Sequence, residues 1–296
     1  ETLGKVHDST GREAVITAIS IVANPDFDKI RHSSFQEYFF ESFVQTLNRY
    51  PGREGVFDLW KEGVSNRLFV PEFHAREHLH VPSWMRALRA NDKDTHLAFD
   101  NEFWGFNNKS RHNVSYQAAF DVSEMSDVLE QAASIKSGLD LFEQLFGYRS
   151  SYIVPPNGPY NDALNEQCAV NGIRYIGTAK IRKEPLGSGQ TRTRFHYLGE
   201  RNRQGQRYIT RNCLFEPSIE GRDWVSTCMS EMEIAFRWRK PAIVSTHRVN
   251  YIGALVEKNR TKGLEELGRL LEAIVQRWPN VEFLTTTELG RLLSNG

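Results

Sequence analysis

The sequence predicts an α/β fold built on a parallel sheet or barrel, and three observations point there. Apolar, β-branched runs of strand length recur along the chain, amphipathic helical stretches lie between them, and several of the runs end on Pro, Asn or Gly. At 296 residues one α/β domain can bury a sizeable core, so residues 1–296 read as a single domain.

Residues 14–22 are the first such run. Closed by Asn24-Pro25, they read as a buried parallel strand. Residues 35–48 place Phe39, Phe43 and Leu47 on one helical face, and Pro51-Gly52 stops the helix. Further strands are expected over 67–73, 151–155, 173–178, 212–216, 242–246 and 281–285. Helices are expected over 126–146, 160–171, 224–237 and 262–278, the last ending at Pro279-Asn280. Near 193–212 the pattern changes. Phe195-His196-Tyr197-Leu198 and Tyr208-Ile209-Thr210 flank a polar stretch, which predicts a hairpin excursion. Residues 53–63 and 96–112 are the least regular. The second connection carries Trp104-Gly105-Phe106-Asn107-Asn108, and reads either as a binding loop whose aromatics suit a sugar or as a loop packed under its own rings.

Composition narrows the function classes. Lys plus Arg and Asp plus Glu are 37 each, so no overall field draws the protein to nucleic acid or to an anionic membrane. The three cysteines, Cys168, Cys213 and Cys228, include no CxxC pair, which argues against a disulfide framework or a cysteine zinc site. No apolar run approaches the roughly 20 residues of a membrane span, and the first residues hold no apolar signal core. A cytoplasmic location is the expectation.

The segment Phe69 to His80 is the richest in chemistry. His74 and His78 lie four apart after an extended run, so one turn of backbone can aim both imidazoles at a metal ion. Chance spacing is the alternative for a lone pair among nine histidines. The same letters fit HxxEH, the signature of a zinc peptidase with Glu77 as base, but that motif needs a helix, and Pro71 and Pro82 flank the segment. Val154-Pro155-Pro156-Asn157-Gly158, before Tyr160, reads either as an active-site wall or as an ordinary βα turn. The strand over 242–246 runs directly into His247, which either sits at the mouth of the sheet or bonds a loop carbonyl.

In their order and spacing these pieces resemble the polysaccharide deacetylase family of NodB homology, and within it the deacetylase-like proteins of bacterial surface-polysaccharide clusters. His74 to His78 looks like the family's His-x-x-x-His, Val154 to Asn157 its Arg-Pro-Pro-Tyr corner, Asp223-Trp224 its Asp-Trp element, and the strand ending in His247 its last motif. The resemblance implies a distorted barrel of about seven strands. Its first strand has no counterpart in this chain, where Leu3 to His7 look like the helix before the family's second strand. The family's catalytic Asp pair is therefore expected either upstream of Glu1 or lost. In the corner, the family's Arg falls at Val154 and its Tyr at Asn157.

What the resemblance implies is metal-dependent hydrolysis of N- or O-acetyl groups on a bacterial polysaccharide or oligosaccharide. His74 and His78 would hold a divalent metal, zinc by preference, and His247 would protonate the leaving group. Pro156, Asn157, Tyr160, Trp224 and Trp104 would contact substrate. A carbohydrate-binding relic of the same fold is the alternative, and a zinc peptidase the next.

Overall fold

Ile16, Thr17, Ile19 and Ile21 favour extended backbone, and Ile16–Ile21 is strand β1 of the computed structural model, which describes residues 1–108 and 111–295. Then come β2 (Ala23–Pro25), α1 (Phe27–His32), β3 (Phe40–Ser42), α2 (Phe43–Arg49) and α3 (Val56–Ser65). The helix expected over 35–48 is shorter than its apolar pattern. β2 and β3 pair antiparallel, and a capping box of Ser42 and Gln45 starts α2 only at Phe43. Residues 53–63, expected to be irregular, mostly belong to α3. Its Phe57 and Trp60 pack with Phe43 and Phe146, so aromatic burial overrides the surrounding glycines.

β4 (Phe69–Ala75) leads through α4 (Val81–Arg89), α5 (Lys93–Asp100) and α6 (Asp127–Phe146) to β5 (Tyr152–Ile153), α7 (Leu164–Val170) and β6 (Tyr175–Thr178). α5 takes up the start of the connection 96–112, and Lys109 and Ser110 of that connection lie outside the described residues. β7 (Ile181–Gly187), β8 (Gln190–Phe195), β9 (Arg207–Thr210), β10 (Cys213–Leu214), α8 (Trp224–Arg237), β11 (Val244–Ser245), α9 (Glu257–Arg277) and α10 (Thr286–Asn295) complete the order.

The α/β class holds. Five strands form one sheet in the order β1-β4-β5-β6-β9, and its inner pairs β4–β5 and β5–β6 are parallel. A barrel of about seven strands was expected; among the described residues the largest sheet has these five, and β10 and β11 pair as a separate two-stranded parallel sheet. Residues 281–285 are not a strand. Their backbone is held instead by the Asp8 carboxylate, 2.8 Å from Phe283 N, and by Ser9 N, which donates to Val281 O at 3.0 Å. Within 193–212 the expected hairpin is a short antiparallel turn, with Arg201 bridged to Arg207 and Gly199 N donating to Tyr208 O at 2.9 Å, and a longer hairpin that was not expected precedes it. The strands of the longer one are β7 and β8, joined at Gly187-Ser188-Gly189, where all three residues have φ between 53° and 83°. β9, expected on the excursion, belongs to the five-stranded sheet.

Two compact units result. The first comprises residues 1–16, 63–70 and 210–289. Its core packs Phe215, Trp224 and Cys228 with Leu267, Leu270 and Ile274, between α8 and α9. The second comprises 17–62, 71–209 and 290–296. Its main core sets Phe73, Ile153 and Ile176 of the sheet against Ile135, Leu139 and Phe142 of α6. Gly138 permits that approach, since a Cβ there would lie 2.8 Å from the Phe73 ring. Phe27, Trp84, Leu88 and Phe99 form a further cluster. No described helix is long and apolar enough to cross a membrane.

Candidate functional site

In the second unit, Phe73 pairs with Ile153 in parallel register, which sets His74 beside Val154 one residue further on. His74 Nδ1 donates to Val154 O. That bond fixes the tautomer and leaves the lone pair on Nε2. His78 follows in the loop after β4, and its ring stands edge-on to that of His74, with centroids 5.0 Å apart and planes at 65°. Burial lowers the pKa of His78, against the opposing effect of hydrogen bonds at the His78 and Gln117 backbone, and so favours the uncharged ring.

The segment that carries this pair is anchored at both ends by buried polar groups. Glu72 is buried and accepts from Ser150 Oγ and from the backbone N–H groups of Ser151 and Tyr152, both at 3.2 Å, which ties β4 to the start of β5. His80, fully buried, caps α4. Its Nδ1 accepts from Ser83 N at 3.2 Å and its Nε2 donates to Asp121 O at 2.8 Å, so it is the neutral Nε2–H tautomer. Glu77 is also buried. It accepts from Tyr38 Oη at 2.9 Å and from Arg76 Nε, and burial raises its pKa despite Arg76.

This geometry overturns the zinc-peptidase reading. His74 is on a strand and His78 in a loop, the helix begins only at Val81, and Glu77 is engaged by Tyr38 and Arg76. The three positions therefore share no helical face.

The corner after β5 keeps Pro156 buried and Asn157 exposed. Asn157 has φ +55°, and its amide donates to Gln117 O at 3.1 Å. Gln117 thus touches both the corner and His78. Tyr160 is not a substrate contact. It is 1% exposed, its hydroxyl meets Cys168 Sγ at 3.4 Å in the core, and its backbone carbonyl accepts from Arg182. Trp104 is half-buried and packs against the cluster of Phe27, Trp84 and Phe99, which answers to the packed-loop reading.

In the first unit, Trp224 is likewise a core residue. It is 5% exposed and donates from Nε1 to Ile219 O at 2.8 Å, while Asp223 caps α8 by accepting from Ser226 N at 3.0 Å. His247 stands just past β11. The parallel register Leu214↔Ser245 carries two residues on to Glu216 and His247, and His247 Nδ1 lies 2.6 Å from Glu216 Oε1. The other carboxylate oxygen accepts from Asn250 Nδ2 at 2.8 Å. Asn250 is fully buried and also accepts from Ser218 N and Oγ at 3.0 and 2.6 Å. Glu216 and Asn250 were not among the residues expected from sequence. The signal lay in the register: two parallel strands, one ending near an acid and the other at an imidazole.

Chemically, the Glu216–His247 pair is an oriented imidazole. With Nδ1–H directed to the carboxylate, Nε2 is free for proton transfer, and the His247 side chain is 68% exposed. His74 and His78 bring two imidazoles together at the end of β4. Among the described residues, however, no group of three His, Cys, Asp or Glu side chains is placed to hold a metal. Zinc and similar ions take at least three protein ligands, so the residues described here do not by themselves fit the divalent metal that the resemblance implies.

No protein-family model matches the sequence, and no curated protein does. Among solved structures, the chain is similar to IcaB from Ammonifex degensii at 14% identity, over 41% of this chain and 39% of that one, with a TM-score of 0.27. It is similar to the α-amylase AmyC from Thermotoga maritima at 11% identity, over 83% and 52%, with a TM-score of 0.45. A probable polysaccharide deacetylase from Pseudomonas aeruginosa PAO1 aligns at 13% identity, over 93% and 82%, with a TM-score of 0.36. The chain thus spans about two fifths of the first of these proteins and half of the second. Likeness at these scores assigns neither a fold family nor an activity.

Proposed function

We propose that the protein acts on acetylated carbohydrate, hydrolysing N- or O-acetyl groups of a bacterial polysaccharide or its precursor. The observation that carries this reading is the His74–His78 pair, set at a strand end with the His74 tautomer fixed by Val154 O. Such a fixed imidazole is how proteins present a nitrogen to a reacting centre rather than to solvent. The Glu216–His247 pair of the first unit is a second candidate, an oriented imidazole able to move a proton. Asn157, exposed at the corner, is assigned to substrate. No step is assigned to a metal.

The alternative, carbohydrate binding without turnover, is favoured by the same finding that counts against the metal, the lack of a third ligand beside His74 and His78 among the described residues. Acetate release from an acetylated glycan separates the two. It should be measured with this chain and with one extended by any residues encoded upstream of Glu1, each with and without added zinc. Release that falls about a hundredfold or more in H247A, the usual reach of a general acid, and is lost in H74A/H78A supports hydrolysis. Glycan binding with no acetate in any form supports the binding reading. Neither binding nor release refutes both.

A further inference from the structure

At the amino end of β6 the second unit contains a cavity of about 390 Å³ that the proposed reaction leaves unused. β4, β5 and β6 run parallel, so this is the end of the sheet opposite His74 and His78. Arg174, Gln204, Gly205, Arg291 and Ser294 contribute polar walls.

Two properties set the cavity apart. The first is unbalanced charge. Several arginines of this unit are matched to carboxylates, Arg86 with Asp127, Arg149 with Asp140, Arg182 with Asp162 and Arg194 with Glu184, while others such as Arg89 and Arg207 bond backbone carbonyls. Arg174 and Arg291 line the cavity without a carboxylate partner among the described residues. Arg201 adds a third guanidinium at its edge, since a Cβ on Gly205 would lie 3.3 Å from Arg201 Nη2. Glu200, the nearest acid in sequence, is taken by His196 at 2.9 Å.

The second property is that the walls are built. Asn202 Oδ1 accepts from the backbone N–H of Gln204 and of Gln206 at 3.1 and 2.9 Å, and Gln206 Nε2 donates to Ile173 O at 3.0 Å. Arg174 is pinned through both backbone groups, donating to Ser151 O at 2.8 Å and accepting from Arg207 N at 2.9 Å. Gly290 seats α10 on Tyr175, where a Cβ would lie 2.6 Å from the ring, and so holds Arg291 and Ser294 in place. Ordering the site on binding therefore costs little backbone entropy.

We propose that this cavity binds an oxyanion of the phosphate class, gripped by Arg174 and Arg291 with Arg201 adding charge. Guanidinium forks match phosphate oxygens in pairs, and a dianion balances two unmatched arginines where a single carboxylate leaves one over. The inference is independent of the deacetylase reading.

Calorimetric titration of the chain with inorganic phosphate, at low ionic strength, tests it. Sodium chloride at matched ionic strength and glucuronate serve as comparators. Saturable phosphate binding is expected, weakened about tenfold or more by R174Q and by R291Q, the loss of one charge-assisted contact. Both side chains are exposed, so the variants should fold as the parent does. H74A should bind phosphate as tightly as the parent. A sugar phosphate that binds more tightly than phosphate identifies a phosphorylated sugar as the source, and equal affinity identifies the free ion. Heats that follow ionic strength alone, variants that bind as well as the parent, or glucuronate binding equal to phosphate would overturn the proposal.

Discussion

Asn250→Ala tests what holds the Glu216–His247 pair. Glu216 has two partners of opposite character, His247, whose side chain is 68% exposed, and Asn250, which is fully buried. Truncating His247 removes one exposed contact, worth about 0–1 kcal/mol. Truncating Asn250 removes the donor to Glu216 Oε2 at 2.8 Å and the acceptor for Ser218 N at 3.0 Å, and leaves both groups without that partner. Each deserted group, one buried and one half-buried, costs about 1–3 kcal/mol, so N250A should lose about 2–6 kcal/mol. At a urea m-value of roughly 2–3 kcal/mol/M, that is a midpoint shift of about 1–3 M, against a few tenths for H247A. Urea denaturation followed by tryptophan fluorescence reads both, since Trp224 lies in the core of the same unit. Equal shifts for the two variants, or a loss below about 1 kcal/mol for N250A, would refute the claim that the buried amide, and not the imidazole, fixes the carboxylate.

Glu77→Ala strips Arg76, 11% exposed, of its carboxylate and should cost about 3–5 kcal/mol. Glu77→Gln keeps an oxygen for Tyr38 and Arg76, so a smaller loss is expected in thermal melts, and equal losses would contradict the role given to those bonds. Burial lowers the pKa of His78 and His80 below the ordinary 6.5. The unfolded chain then binds protons first as pH falls through about 6.5, so stability present above that pH is lost below it. Denaturant midpoints measured from about pH 8 to pH 5 should decline, less steeply in H78Q, and a flat profile would contradict the burial of neutral rings.

The α/β class and the longest helices were legible because local chemistry and tertiary packing agree there. The helix expected over 224–237 is α8 from Trp224 to Arg237, where Asp223 supplies the cap and Cys228 and Met232 the buried face. Apart from 281–285, which is no strand, the strands were located but several were overestimated in length. β5, β10 and β11 each pair over two residues, and the apolar letters around them are buried without a ladder. The β7–β8 hairpin escaped because its strands alternate Arg, Lys, Glu and Thr, which reads as solvated coil until the ion pairs of Arg192 and Arg194 with Glu184 are known. Its one local signal was Gly187-Ser188-Gly189. At the site, the histidines were visible as letters. Glu216 and Asn250 depend on register and burial, which no single segment reveals. Tyr160 and Trp224 show the opposite error, since an aromatic beside a corner anchors the core as readily as it meets a sugar.

The contact that orients His74 comes from the carbonyl of Val154 and not from its side chain. Every residue type carries that carbonyl, so the service does not depend on the chemistry of the side chain at position 154. What limits that position is packing, since Val154 is buried beside Gly177, and an engineer randomising the corner would find it restricted to small apolar side chains and strict in backbone path, with Pro155 and Pro156 as the rails. The same asymmetry bears on detection. A function held in main-chain geometry leaves little trace in an alignment.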